Sequence, residues 1–272
     1  MFDMNYQTNA IMGNQQQMNT YFTNMQNQFT PGYKAETVNF GDLMGQAMAG
    51  QAKITSSGIV FTQGQLVQTQ NPTDLAISGN GFFVVSDGAR NNYTRDGRLE
   101  FKEGFLTHKA TGMKVMGYAL DANGNPSSQL TPVNLGLDPV TKLYAGRFTN
   151  FHFDAAGKMY GDTAMTDPLT KQTVVSSVPI FQVAVGSFAN PSGLRKSGTT
   201  TFMETENSGQ AVVGTPGQGA LGTVCAQSLE MSNVDFAQQA AAIGMAKQNY
   251  EANFAAFKAM DKMTENAIGL IR

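Results

Sequence analysis

The chain is poor in cysteine, tryptophan and charge. Of its 272 residues one is cysteine and none is tryptophan, and Asp, Glu, Lys and Arg together make up 14%. A single thiol, Cys225, excludes an internal disulfide framework and any zinc site built from several cysteines. With 18 Lys and Arg against 20 Asp and Glu, the net charge of -2 offers no general attraction to nucleic acid or an anionic membrane. No apolar run reaches the ~18 residues a membrane helix needs. The N-terminus, MFDMNYQTNAIMGNQQQ, has neither a basic segment nor an apolar core, so it does not read as a cleaved secretory signal. Those readings leave a cytoplasmic protein, or one exported without a cleaved signal. The charged fraction is well below the roughly 25% usual in soluble domains, which suggests that much of the surface is hidden against neighbours.

What is present changes character along the chain. Residues 1–30 hold six Asn and six Gln, and after Asp3 no charge occurs before Lys34. Such a segment can be a disordered polar tail. Its apolar residues are nevertheless ordered: Met4, Ile11, Met18 and Met25 recur every seven positions, with Phe22 and Phe29 four residues after the last two. This predicts a helix with one apolar seam, marginal alone and stabilised by packing. Thr30-Pro31-Gly32 ends it, because Pro31 cannot continue the hydrogen-bond ladder. At the other end, Ser232-Asn233-Val234-Asp235 reads as a helix start. Phe236, Ile243, Tyr250 and Phe257 then recur every seven residues, with Phe254 and Met260 beside them. About 36 residues at 1.5 Å each predict a helix of roughly 54 Å, packed in coiled-coil fashion or docked on its own domain.

Between these ends the period shortens. Leu75–Ser78, Gly81–Val85, Tyr93–Arg95, Arg98–Phe101 and Lys114–Tyr118 read as strands separated by Asn80-Gly81, Asp87-Gly88, Asp96-Gly97 and Asn123-Gly124 turns. Phe148–Tyr160, turning at Ala156-Gly157, and Thr173–Val178 and Ile180–Val185 continue the pattern. The expected fold is mixed α and β: N- and C-terminal helices pairing as a coiled-coil-like assembly domain around an all-β central domain of short hairpin strands. The expected division is an N-terminal assembly helix at 1–32, an extended connection at 33–70, a β domain at 71–185, an extended return at 186–228 and a C-terminal assembly helix at 229–272. No catalytic, metal-binding or cofactor-binding residue is assigned. His108 and His152 stand alone, and Cys225 has no neighbouring base. Asp121-Ala122-Asn123-Gly124-Asn125 reads as a turn, since Pro132 stands where a calcium loop needs its last carboxylate.

Several stretches resemble the axial proteins of the bacterial flagellum, the rod and hook subunits. Thr30-Pro31-Gly32-Tyr33-Lys34 looks like that family's N-terminal signature, with Asn24 and Asn27 matching and Thr23, Gln26 and Phe29 departing from it. FTQGQLVQTQNPTDLAISGNGFFVV, from Phe61 to Val85, is similar to the phrase that enters the family's β domain, and Tyr93-Thr94-Arg95-Asp96-Gly97 follows as it does there. Phe188–Leu194, Leu229–Asp235 and Tyr250–Asn253 complete the resemblance in order. It implies a structural subunit that assembles helically with copies of itself and with other rod and hook proteins, forming a hollow shaft that transmits torque. It also implies passage through the flagellar export apparatus, a place in the basal body, and no cofactor, nucleic acid or membrane span. The length favours a distal-rod type over a short hook protein. A monomeric β-domain adaptor is the reading from another class. The residues expected to carry assembly are Met4, Ile11, Met18, Phe22, Met25, Phe29, Thr30, Pro31, Gly32 and Tyr33 at one end. At the other they are Ser232, Asn233, Val234, Asp235, Phe236, Ile243, Tyr250, Phe254, Phe257 and Met260.

Overall fold

The computed structural model describes residues 4–41, 53–121, 123–135, 150–166 and 173–269. The expected strand start at Phe148 falls outside them. Two helices bracket a β-rich middle: α1 (Met4–Gln26) and α2 (Phe236–Gly269). The chain divides into two units. One comprises 1–29, 34–62 and 233–272; the other comprises 30–33 and 63–232.

In the helical unit, α1 and α2 lie against each other, and α1 also touches a hairpin formed by β1 (Glu36–Gly41) and β2 (Lys53–Ile59). The end of α1 meets the start of α2 through Asn24 and Gln239, so the helices run antiparallel. α1 stops at Gln26, earlier than Pro31 requires, and residues 27–32 form turns. α2 begins at Phe236 rather than at Ser232. The cap is Asp235, whose Oδ1 accepts the N–H groups of Ala237 at 2.9 Å and Gln238 at 3.2 Å. A carboxylate there satisfies two otherwise free amides and faces the positive end of the helix.

The β unit holds seventeen strands among the described residues. The first nine are β3 (Leu66–Gln68), β4 (Leu75–Ser78), β5 (Phe82–Ser86), β6 (Asn91–Thr94), β7 (Leu99–Lys102), β8 (Phe105–His108), β9 (Lys114–Leu120), β10 (Pro126–Pro132) and β11 (Asn150–Phe153). Then come β12 (Lys158–Thr166), β13 (Thr173–Val183), β14 (Val185–Ser187), β15 (Arg195–Lys196), β16 (Thr201–Met203), β17 (Val212–Gly214), β18 (Thr223–Ala226) and β19 (Ser228–Glu230). Thirteen of them form one sheet whose main path runs β11-β12-β13-β9-β5-β6-β16-β15. β18 pairs with β4 and β19 with β3, both antiparallel, so the returning chain is stitched to the outgoing one. Residues 186–228 therefore carry strands where an extended connection was expected; their short Gly- and Thr-rich runs lack the apolar alternation that marks a strand by itself. The core gathers Leu75, Ile77, Phe83, Val85, Leu99, Leu106, Val115, Val183 and Val224, all essentially inaccessible. Each such side chain contributes about 1.5–3 kcal/mol by leaving water.

Turn chemistry accounts for the strand ends. Lys102 pairs with Phe105 across Glu103-Gly104, with φ of +52° and +82°. That is the two-residue hairpin geometry needing positive φ at both positions, met here by Glu where Asn or Asp is usual. Asp96-Gly97 is no hairpin turn. A Cβ at Gly97 would lie 1.5 Å from the carbonyl oxygen of Leu75, so this glycine serves close backbone approach.

Candidate functional site

The seam predicted on α1 is only half covered within the chain. Ile11, Met18 and Met25 are half-buried and Phe22 is exposed; Met4 opens the helix, and its side chain lies outside the described residues. Among the described side chains of α1, the most buried positions are instead Gly13, Asn14 and Asn24. Phe29 lies beyond the helix and is 76% exposed. The outward arc of α1 presents Thr8, Met12, Gln15, Gln16, Asn19, Phe22, Thr23 and Gln26. None is charged, and α1 holds no Asp, Glu, Lys or Arg anywhere along its 23 residues.

On α2 the predicted stripe is the inner one. Ile243, Tyr250, Phe257 and Met260 are half-buried, Ala246 is the most buried position, and Phe236 and Phe254 sit at the exposed margin. Tyr250 stacks on Phe254, and Lys258 Nζ lies 4.6 Å from the centre of that ring. Met245 and Met263 are exposed on another side of the helix.

Two asparagines fasten the helical unit. Asn24 is fully buried: its Nδ2 donates to the Glu36 carbonyl at 2.8 Å and to Gln239 Oε1 at 3.0 Å, while Oδ1 accepts the Glu36 N–H at 3.0 Å. Asn233 does the same for the start of the C-terminal segment. Its Oδ1 accepts the Ala35 N–H, and its Nδ2 reaches the carbonyl of Val60 at 2.8 Å and Thr62 Oγ1 at 3.0 Å. Lys34, buried, donates to the Thr62 carbonyl at 2.7 Å. Sequence reasoning placed Asn233 in a helix cap and missed both ties, because their partners are remote in the chain. Ser232 and Val234 are half-buried flanks of this tie.

Thr30, Pro31, Gly32 and Tyr33 belong to the β unit. Gly32 has φ +70° and lies so close to Asp96 that a Cβ would sit 2.2 Å from its backbone nitrogen. Its N–H donates to the Glu230 carbonyl at 2.7 Å. Tyr33 is fully buried, with Lys196 Nζ 4.5 Å from its ring centre. The Glu230 side chain is a second junction: Oε1 accepts the Gly64 N–H at 2.9 Å and Oε2 lies 3.1 Å from Arg95 Nη1. Arg95 also donates to the Gly79 carbonyl at 2.8 Å and stacks over Phe82. Burial lowers the Arg95 guanidinium from its ordinary value, partly countered by Glu230.

Beside it, Asp96 is fully buried, with Arg98 Nη2 2.7 Å from Oδ2. His108 Nε2 is 3.2 Å from the same oxygen, off the line of an ideal hydrogen bond. Burial alone would raise the Asp96 carboxyl, but His108 and Arg98 together hold it below the usual carboxylate range. His108 Nδ1 lies 2.8 Å from Thr111 Oγ1. These groups are spent on one another within the fold. Among the described residues, no three His, Cys, Asp or Glu side chains gather in a way that could hold a metal ion. No helix of the described residues is long and apolar enough to cross a membrane.

The class so defined is a β-rich protein with a helix at each end, the first of them uncharged and partly apolar on its outer surface. No protein-family model matches the sequence. Individual relatives do. The flagellar basal-body rod protein FlgG of Borreliella burgdorferi is 27% identical over 284 positions, covering 97% of this chain and 96% of the relative. FlgG of Bacillus subtilis is 26% identical, covering 92% and 91%. The flagellar hook protein FlgE of Borreliella burgdorferi is 21% identical, covering 96% and 97%, but over 430 positions, so much of its length has no counterpart here. Over nearly its whole length the chain is thus similar to rod and hook proteins of the bacterial flagellum.

Proposed function

We propose that this chain is a structural subunit of the flagellar basal-body rod, of distal-rod type. In this reading the helical ends pair in coiled-coil fashion with those of neighbouring copies and with other rod and hook proteins, and the β unit forms the outer wall. The product is a hollow shaft that transmits torque. The observation that carries this is α1: a helix with no charged side chain, half of whose surface faces outward in the isolated chain. An exposed helix usually keeps a charged face, and one without it gains by being covered. The assembly residues are those at the two ends, from Met4 to Tyr33 and from Ser232 to Met260. Passage through the flagellar export apparatus belongs to the same reading, as does the absence of catalytic chemistry.

Rod is preferred to hook because the rod relatives align end to end at nearly this length, whereas the hook relative needs a long insertion. A tag in the exposed 87–90 turn of the β unit tests the choice. In imaged basal bodies the label is expected within the shaft below the outer surface; label beyond it would mean a hook subunit, and no label on the flagellum would defeat the proposal.

A further inference from the structure

Where charge sits on α2 divides its surface into three sectors. At 3.6 residues per turn each residue advances about 100°. The half-buried positions, centred on Ala246, form the sector packed on α1. Every charged residue of the helix, from Lys247 and Glu251 to Lys258, Asp261, Lys262 and Glu265, falls within a second sector about 100° wide. The third contains Met245 and Met263, 61% and 69% exposed. They are about five turns apart and therefore one above the other, roughly 150° round the helix from the middle of the charged strip. A helix needing only solubility would spread its charges over both free sectors. Their confinement to one leaves the other suited to cover, because an unpaired charge there would be costly to bury.

The covering surface must itself be uncharged, and this chain supplies one. The outward arc of α1 has no charged residue and presents Met12, 63% exposed, and Phe22. It cannot reach the methionine sector of its own α2, since its inner side is already packed on that helix through another sector. Nor does α1 match α2 in length, 23 residues against 34, so the last turns of α2 around Met263 extend past it. We propose that the Met245–Met263 sector of α2 is the docking face for the outward arc of α1 from a second copy, and that the charged strip stays in water. This rests on the assembly reading and specifies which faces meet.

The unmodified full chain provides the test. Hydrogen peroxide oxidises accessible methionines, and an N-hydroxysuccinimide ester acylates accessible lysines. Both are read by peptide mass spectrometry on monomer and on purified tubes of this chain alone. In tubes, Met12, Met245 and Met263 are expected to oxidise about tenfold more slowly, because access then requires local opening. Lys247, Lys258 and Lys262 are expected to react at the monomer's rate. Unprotected methionines, or lysines protected as strongly as the methionines, would overturn the assignment of faces while leaving assembly intact. Failure of the chain to form tubes at any concentration would instead overturn the assembly reading on which it rests.

Discussion

Arg95 and Glu230 form a buried ion pair, Nη1 to Oε2 at 3.1 Å, between residues 135 apart in the chain. Around that pair the β unit ties three segments together. The Glu230 carbonyl takes Gly32, its Oε1 takes Gly64, and Arg95 fastens the Ile77–Gly79 backbone. Every group named lies within the β unit. The pair is costly to break from one side, because the survivor is a buried charge that has lost its counter-ion.

Glu230→Ala is therefore expected to destabilise the β unit by roughly 3–5 kcal/mol in denaturant unfolding. Removing both charges, as Arg95→Met with Glu230→Leu, should cost less than the two single changes added together. Strict additivity would mean that the pair is not coupled.

Asp96 gives the β unit an acid-sensitive component. Its folded carboxyl titrates below the ordinary value of 3.8. The unfolded chain therefore binds the proton more readily, and the stabilisation is present above that ordinary value. It is lost as pH falls through the lower, folded value. Stability followed by denaturant midpoint should thus drop below about pH 4. Asp96→Asn should be less stable at neutral pH and show a flatter acid limb. An unchanged acid limb would contradict the assignment.

Asp235→Ala removes the cap of α2. The expected loss is about 1 kcal/mol, seen as fraying of the first turn in amide exchange and with no effect on exchange in β4 or β5. Asp235→Asn or Asp235→Ser should recover most of it. Equal protection in the alanine variant would mean that the cap contributes nothing.

Asn24→Ala leaves the Glu36 N–H and C=O and the Gln239 side chain without their Asn24 partners. A cost of about 1–3 kcal/mol to the helical unit follows, measured by the thermal loss of helical circular dichroism. Asn24→Asp sets a buried carboxylate oxygen against the Glu36 carbonyl in place of the donor, so it should destabilise at least as much as alanine at neutral pH; a variant as stable as wild type would mean that the amide donor contributes nothing.

Local pattern made much of this legible in the sequence. The length of α2, the strand Leu75–Ser78, the Lys114–Tyr118 part of β9, and the turns at Gly88, Gly124 and Gly157, each with positive φ, follow from heptad spacing, alternation and glycine chemistry. What stayed hidden was non-local. β18 and β19 are only four and three residues long and become strands by pairing with β4 and β3. Asn24 and Asn233 find partners 215 and 173 residues away. The α1 seam was visible but its use was not: Gly13, Asn14 and Asn24 fill the buried side, and the methionines are left at the margin. A heptad identifies an apolar stripe without saying whether its own chain or another covers it.

If the terminal helices assemble copies of this chain, electron microscopy of the concentrated full chain shows ordered tubes, and a variant lacking 1–30 gives only dispersed, folded particles. Tubes of equal order from the variant, or a compact monomer from the full chain at every concentration, would contradict that role of the helices.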